Sequence, residues 1–288
     1  MSSSSKVWVL IPVHNRLATT RACLEYLATL GLAAEFLICV VDDGSTDGTA
    51  EMLAAQFPEV HVVTGSGNLY WGGGIAMGME AAGAAGAEVH LWLNDDCIPG
   101  VGSLERLVER VRETRGVCGG VCYDPDYPDK ITYAGTLIGQ DTRILTTGVT
   151  EPLAAESLNG NLVAIHCDVV ERLGPMPSQR YPHFGGDIIY SLRAHRAGLP
   201  VEIHPLATAL NHRDDPLHQV FQSSSVVRLW REMGRVASPL YFRTYWNLLR
   251  ERFGWHAWFR WPAYFWRMIR HTQRLLFTHV STPVSKPT

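Results

Sequence analysis

Several polar residues in this chain sit where hydrophobic runs stop, and their types suggest chemistry. His14 and Asn15 follow the run VWVLIPV at 7–13, Asp42 and Asp43 follow FLICVV at 36–41, and Asn94, Asp95 and Asp96 follow EVHLWL at 88–93. A carboxylate at a strand end can accept hydrogen bonds from a base imide N–H and a ribose hydroxyl. The Asp-Gly-Ser that contains Asp43 equally suits a turn or a cap. Asp95 and Asp96 offer the hard oxygens that Mg2+ or Mn2+ takes when it bridges a diphosphate. The other reading of that pair is a solvated turn ahead of Pro99-Gly100. The stretch Gly67-Asn68-Leu69-Tyr70-Trp71-Gly72-Gly73-Gly74 opens a helix, where glycines admit a ligand close to the backbone and the N–H groups favour an anion. Asp187, after Phe184-Gly185-Gly186, opens another helix, as an N-cap or as a general base for a hydroxyl. His212, after Leu210-Asn211, is structural unless something pairs with it.

These residues need elements to position them. The runs at 7–13, 36–41, 60–63, 88–93 and 117–122 read as buried strands, and helical spacing over 17–30, 47–57, 73–85 and 103–114 alternates with them. Such alternation predicts a doubly wound parallel sheet. Ligands bind such sheets at the carboxyl ends of the strands, so the three polar clusters should share one edge. After residue 123 the pattern turns to short strands and loops over 131–165, then a helix at 186–198 and a strand at 201–205. From 226 onward the chain reads as helical, aromatic and rich in Arg.

Composition sets the frame. The 288 residues are 46% hydrophobic and 18% charged, with a net charge of −3, a globular composition that does not ask for a polyanionic partner such as nucleic acid. Charge is unevenly placed: residues 1–225 carry 14 Lys and Arg against 26 Asp and Glu, whereas 226–279 carries 10 Arg against Glu232 and Glu251. Six cysteines without a CxxC pair read as buried thiols in a reducing compartment. A zinc site from Cys118, Cys122 and Cys167 is the alternative. The start Met-Ser-Ser-Ser-Ser-Lys has no apolar leader, and no run reaches the ~18 apolar residues of a spanning helix. A cytoplasmic protein, free or peripheral on the inner face of the membrane, is expected.

The segments IPVHNR at 11–16, VVDDGSTDGT at 40–49, GNLYWGGGIAMGM at 67–79, LWLNDD at 91–96 and HFGGDIIYSLRAHRAG at 183–198 together resemble family 2 glycosyltransferases, in the family's order and over about residues 6–215. The resemblance implies an α/β fold of the GT-A type, a Rossmann-like, mostly parallel central sheet flanked by helices, followed by a helical C-terminal appendage. Residues 1–225 would form the catalytic domain, with nucleotide-sugar binding over 6–122 and acceptor binding over 123–225, and 226–288 would form the appendage. Pro12, Val13, Asn15, Asp42 and Asp43 would line the base and ribose pocket. Asn68, Trp71, Gly73 and Gly74 would border the nucleotide sugar, with Asn94 and Asp95 beside the diphosphate. Asp96 and His212 would hold Mg2+ or Mn2+, and Asp187 falls where the family has its catalytic base. Two departures stand out: Arg16 replaces an acid after Asn, and Gly186-Asp187 replaces Glu-Asp.

The pattern is similar to a rhamnosyltransferase-like branch that builds bacterial surface polysaccharides. It implies an inverting, metal-dependent transfer, with dTDP-rhamnose as leading donor and a UDP- or GDP-sugar as alternative. The acceptor would be a glycan or lipid-linked glycan. In that mechanism a metal on Asp96 and the N-terminus of helix 73–85 stabilise the departing nucleoside diphosphate. Asp187 takes the acceptor proton. Rival readings fare worse: a dehydrogenase would need GxGxxG after the first strand, where Pro12-Val13-His14-Asn15 stands. A nucleotidyltransferase would need a Gly-rich basic loop there, and a non-catalytic carbohydrate-binding scaffold would not need Asp95, Asp96 and Asp187. For 226–279, Trp and Arg on helices suit a membrane interface, a cap on the catalytic domain, or a dimer contact.

Overall fold

The computed structural model describes residues 6–213, 220–221 and 225–278. The chain divides into two compact units between Arg213 and Asp214, where it leaves the sheet, rather than at the compositional break after residue 225. The first five residues and the tail from 279, which carries Lys286, lie outside the described part.

In the first unit, strands β1 (Val7–Val13), β2 (Phe36–Asp42), β3 (His61–Thr64) and β4 (Val89–Leu93) alternate with helices α1 (Leu17–Thr29), α2 (Thr49–Gln56) and α3 (Tyr70–Ala84). Then come β5 (Ile98–Pro99), α4 (Ser103–Thr114), β6 (Val117–Tyr123), β7 (Ile131–Tyr133), β8 (Gly135–Leu137), β9 (Leu153–Leu158), β10 (Leu162–His166), α5 (Cys167–Leu173), α6 (Gly186–Arg196) and β11 (Val201–Leu210). The strands form one sheet in the order β3-β2-β1-β4-β10-β6-β11-β9-β8, with β5 and β7 at the rim.

Pairing is parallel from β3 through β2 and β1 to β4, and between β6 and β11. β10 lies antiparallel to both β4 and β6, so a reversed strand is set among six that run one way, and β9 is reversed again beyond β11. This reversal departs from the simple parallel alternation. Its cause is that β10 enters the sheet from the carboxyl edge: Leu162 pairs with Leu93, the last residue of β4. The turn at 159–161 therefore stands at the edge where the forward strands end.

Strand alternation splits the core into two layers. Val7, Val9, Ile11 and Val13 of β1 face α1, α2 and α4, whereas Trp8 and Leu10 face α3 and α6. Helix α4 shows the spacing that does this: Leu104, Leu107, Val108 and Val111 are buried on one side, and charged residues fill the other. The second unit comprises α7 (Val226–Glu232), α8 (Phe242–Phe253), a short turn at Gly254–His256 and α9 (Ala257–Thr278). Leu229, Leu240, Tyr264 and Met268 form its small core.

Gly120, in the middle of β6, faces backbone that leaves no space for a side chain: a Cβ there would lie 2.6 Å from the carbonyl of Ala207 on β11. Backbone cannot yield as a side-chain tip can. Gly120→Ala should therefore cost about 1–3 kcal/mol of stability, read from the midpoint of denaturant unfolding. An unchanged midpoint would contradict this packing.

Candidate active site

Parallel neighbours place the ends of β1, β2 and β4 side by side, and the polar residues there brace one another. The His14 imidazole lies 2.6 Å from the Asp43 carbonyl. Asn15, held at φ 52°, accepts from Thr46 N–H at 2.7 Å and donates its own N–H to the Ser45 hydroxyl at 2.8 Å. Asp42 accepts from Ser45 N–H at 3.0 Å. Asp43 is buried, and its carboxylate accepts three backbone N–H groups, from Gly67 at 2.6 Å, Leu69 at 2.7 Å and Tyr70 at 3.1 Å. It thus fixes the glycine-rich loop from a distant strand and caps the start of α3.

The acids after β4 are held by Arg16. Its guanidinium reaches Asp95 at 2.9 Å and Asp96 at 2.8 Å, and the Thr20 hydroxyl donates to Asp95 at 3.1 Å. Burial pushes the Asp95 carboxyl above the usual range, while Arg16 and Thr20 pull against that rise. Asp96 is more open and also accepts from the Asn211 amide at 3.1 Å. Asn211 arrives there because β5, just after the acid pair, pairs with Ala209 and Leu210 at the end of β11.

Asp187 stands at the first turn of α6, where its carboxylate accepts from Gly160 N–H at 2.8 Å. Burial raises its pKa, and the N–H groups of Ile188 and Gly160 oppose the rise. Gly160 belongs to the turn before β10, and its missing side chain is what lets both Trp71 and Asp187 pack against that turn: a Cβ would lie 2.5 Å from the Trp71 ring and 3.0 Å from Asp187 Cβ. Trp71 in turn donates from its indole N–H to Asn94 at 2.7 Å. A continuous set of contacts runs from the end of β4 through Trp71 to Asp187. Residues of these types, around hard oxygens and a carboxylate of raised pKa, can hold a phosphate-bound cation and take a proton from a hydroxyl.

Residues 8–161, more than half of the chain, match the glycosyl transferase family 2 description. This chain belongs to glycosyl transferase family 2. Over 199 residues it is 28% identical to a protein named Glycosyltransferase AglE of Haloferax volcanii, covering 67% of this chain and 62% of that one. Over 114 residues it is 34% identical to an N-acetylglucosaminyl-diphospho-decaprenol L-rhamnosyltransferase of Mycobacterium tuberculosis, covering 35% of this chain and 37% of that one. The chain thus spans less than two thirds of the length of either curated relative. A mannosyltransferase from Pyrobaculum calidifontis, solved with GDP-Man and Mn2+, superposes with a TM-score of 0.57 over 97% of this chain and 76% of that one, at 16% identity. The GT-A fold expected from the resemblance is the fold observed.

Several expected roles change on this family 2 scaffold. Much of the N–H set at the start of α3 is already taken, those of Leu69 and Tyr70 by Asp43 and that of Gly72 by the Pro182 carbonyl at 2.8 Å. Gly73 and Gly74 are buried against the protein itself: Cβ atoms there would lie 3.0 Å from Leu69 and 2.8 Å from Pro12. Their smallness serves helix packing rather than close approach of a ligand. The Val13 side chain points into the α1–α2 core, as alternation requires, so only its backbone faces the strand-end edge. Asn68 is exposed on the loop.

His212 makes its contact with acids other than Asp96. Its Nδ1 lies 3.8 Å from Asp126, and with Asp124 these form a group of donor atoms within 4.8 Å of one another. The reason is register: Leu210 pairs with Tyr123, so the residues after β11 emerge beside those after β6. Cys118, Cys122 and Cys167 form no three-ligand cluster among the described residues, and all six cysteines are free.

The Asp43 clamp generates a test. Asp43→Ala leaves three loop N–H groups without their acceptor and should cost about 2–4 kcal/mol, whereas Asp43→Asn, which keeps an acceptor oxygen, should cost less. Thermal unfolding of both variants checks this, and equal losses would contradict it.

Proposed function

We propose that the chain transfers a sugar from a nucleoside diphosphate donor to a hydroxyl of a glycan or lipid-linked glycan, inverting the anomeric centre by single displacement. The observation that carries this reading is the contact set Asn94–Trp71–Gly160–Asp187, which links the strand end that bears the acid pair to the carboxylate opening α6. In this reading residues 6–122 hold the donor and the residues beyond them meet the acceptor. Pro12, Asn15, Asp42 and Asn68 border the nucleotide. Asp43 acts through the loop it holds.

The donor oxygens at Asp95 and Asp96 fit a hard divalent cation, Mg2+ or Mn2+, with Asp96 the more accessible ligand. Bound there, the ion would neutralise charge on the leaving diphosphate. His212 lies one residue from Asn211, which already bonds to Asp96, and so stays a candidate for a further contact. Arg16 supplies a fixed positive charge to the same carboxylates. Asp187 accepts the acceptor proton, and its raised pKa makes it a stronger base than a solvated aspartate. Trp71 walls the space between the two groups. Rhamnose from a dTDP donor is the leading choice because a relative carries a rhamnosyltransferase name over the matched stretch; a UDP- or GDP-sugar is the alternative.

Two predictions follow from these roles. Asp187→Asn should keep donor binding and abolish transfer. Since its pKa is raised, the folded state favours protonated Asp187, and ionising it at neutral pH costs stability that Asn restores. The variant should therefore melt higher than the wild type, while the wild-type rate rises with pH through a pKa above that of a free aspartate. Near-normal turnover in the variant would remove Asp187 as base.

Arg16→Gln removes one positive charge beside Asp95 and Asp96. Mn2+ binding to the free protein, followed by calorimetry, should tighten at least about tenfold, since a unit charge ~4 Å from a divalent ion is worth ~2 kcal/mol near water. Unchanged affinity would place the ion elsewhere.

A further inference from the structure

The second unit contains a helix with two apolar faces, and its core uses only one. At ~100° per residue, Tyr264, Met268 and the half-buried Trp261 and Phe265 of α9 fall together and pack inside the unit. Trp258, Phe259, Pro262, Trp266 and Ile269 fall on a different side, within an arc of about 100°. They are exposed: Trp258 by 68%, Phe259 by 74%, Trp266 by 62% and Ile269 by 41%. Exposed apolar side chains scattered singly need no explanation, but a continuous stripe of this size on a helix does.

The charge around the stripe indicates what covers it. Helix α9 holds Arg260, Arg267, Arg270 and Arg274 and contains neither Asp nor Glu. Arg270 flanks one edge of the stripe, and Arg267 and Arg260 lie further round. Trp258 also walls a cleft of about 900 Å3 between α8 and α9, together with Trp246, Trp255 and Trp261, and Arg243 and Arg250 line it as well. Indole rings with one wet edge, beside arginines and without acids, match the interfacial layer of a bilayer that carries negative headgroups. No described helix is long and apolar enough to cross a membrane, and four arginines with an internal Pro262 suit a helix lying in the interface plane.

We propose that α9 docks on the surface of an anionic phospholipid bilayer, with Trp258, Phe259, Trp266 and Ile269 inserted at headgroup depth and the α8–α9 cleft receiving a lipid phosphate. The inference stands on the second unit alone and does not depend on the transfer reaction.

The test is co-sedimentation of the full chain with vesicles of phosphatidylcholine alone and of phosphatidylcholine mixed with phosphatidylglycerol, in low and high salt. The wild type should partition onto the anionic vesicles, weaken with salt, and show a blue shift of tryptophan emission. Trp258→Ser/Trp266→Ser should lower partitioning by at least about tenfold, with an unchanged thermal midpoint and unchanged donor hydrolysis. Arg267→Gln/Arg270→Gln should remove the preference for the anionic lipid. Failure of the wild type to bind, or equal binding by the tryptophan variant, would overturn the proposal. So would a dimer that the tryptophan variant dissolves, since a second copy would then cover the stripe.

Discussion

Parallel pairing of β1 with β2 and with β4 is the constraint from which the site follows. Adjacent strands lie ~4.8 Å apart, so their carboxyl ends bring His14, Asp43 and Asp95 into neighbouring columns whatever the loops do. Polar groups buried there must find partners, and they find them in one another. Asp43 holds the loop before α3, Asn15 holds the loop after β2, and Arg16 holds both acids after β4. A ligand at this edge would meet groups that their neighbours already hold in place.

The reversed strand β10 connects these strand ends to the rest. Entering the sheet at the carboxyl edge, it brings Gly160 beside Trp71 and Asp187 and sets the Asn161 carbonyl against the N–H of Asn94 at 3.2 Å. Trp71 spans the interval with its indole N–H on Asn94. One aromatic side chain thus spans from the end of β4 to the turn that holds Asp187.

Much of this was legible in the chain itself. Buried strands announce themselves as unbroken apolar runs, so β1, β2, β4 and β6 and the shared edge of their ends could be read directly. The acid pair at 95–96 stood out because two carboxylates after a Trp-Leu run are costly without a purpose. The reversal of β10 was not legible, since periodicity along a strand carries no direction. The Asn159-Gly160-Asn161 turn between two short runs is the signal the sequence carries for it. Arg16 could be seen as a departure from the family pattern, but its partners lie about eighty positions away in sequence and only folding pairs them. The glycines at 72–74 misled for a general reason: a missing side chain looks the same in sequence whether a ligand or the protein's own Pro12 fills the space. Within 226–278, composition showed Trp and Arg, whereas the division of α9 into a used and an unused apolar face required the packing of Tyr264 and Met268.

The most direct test of the account is a crystal structure with a nucleoside diphosphate and Mn2+, with data collected at the manganese absorption edge. The account predicts one anomalous peak in coordination with Asp96, the diphosphate beside it, and the space between Trp71 and Asp187 open to the sugar. A nucleotide bound away from the ends of β1, β2 and β4, or a manganese peak with no ligand from Asp95 or Asp96, would contradict it.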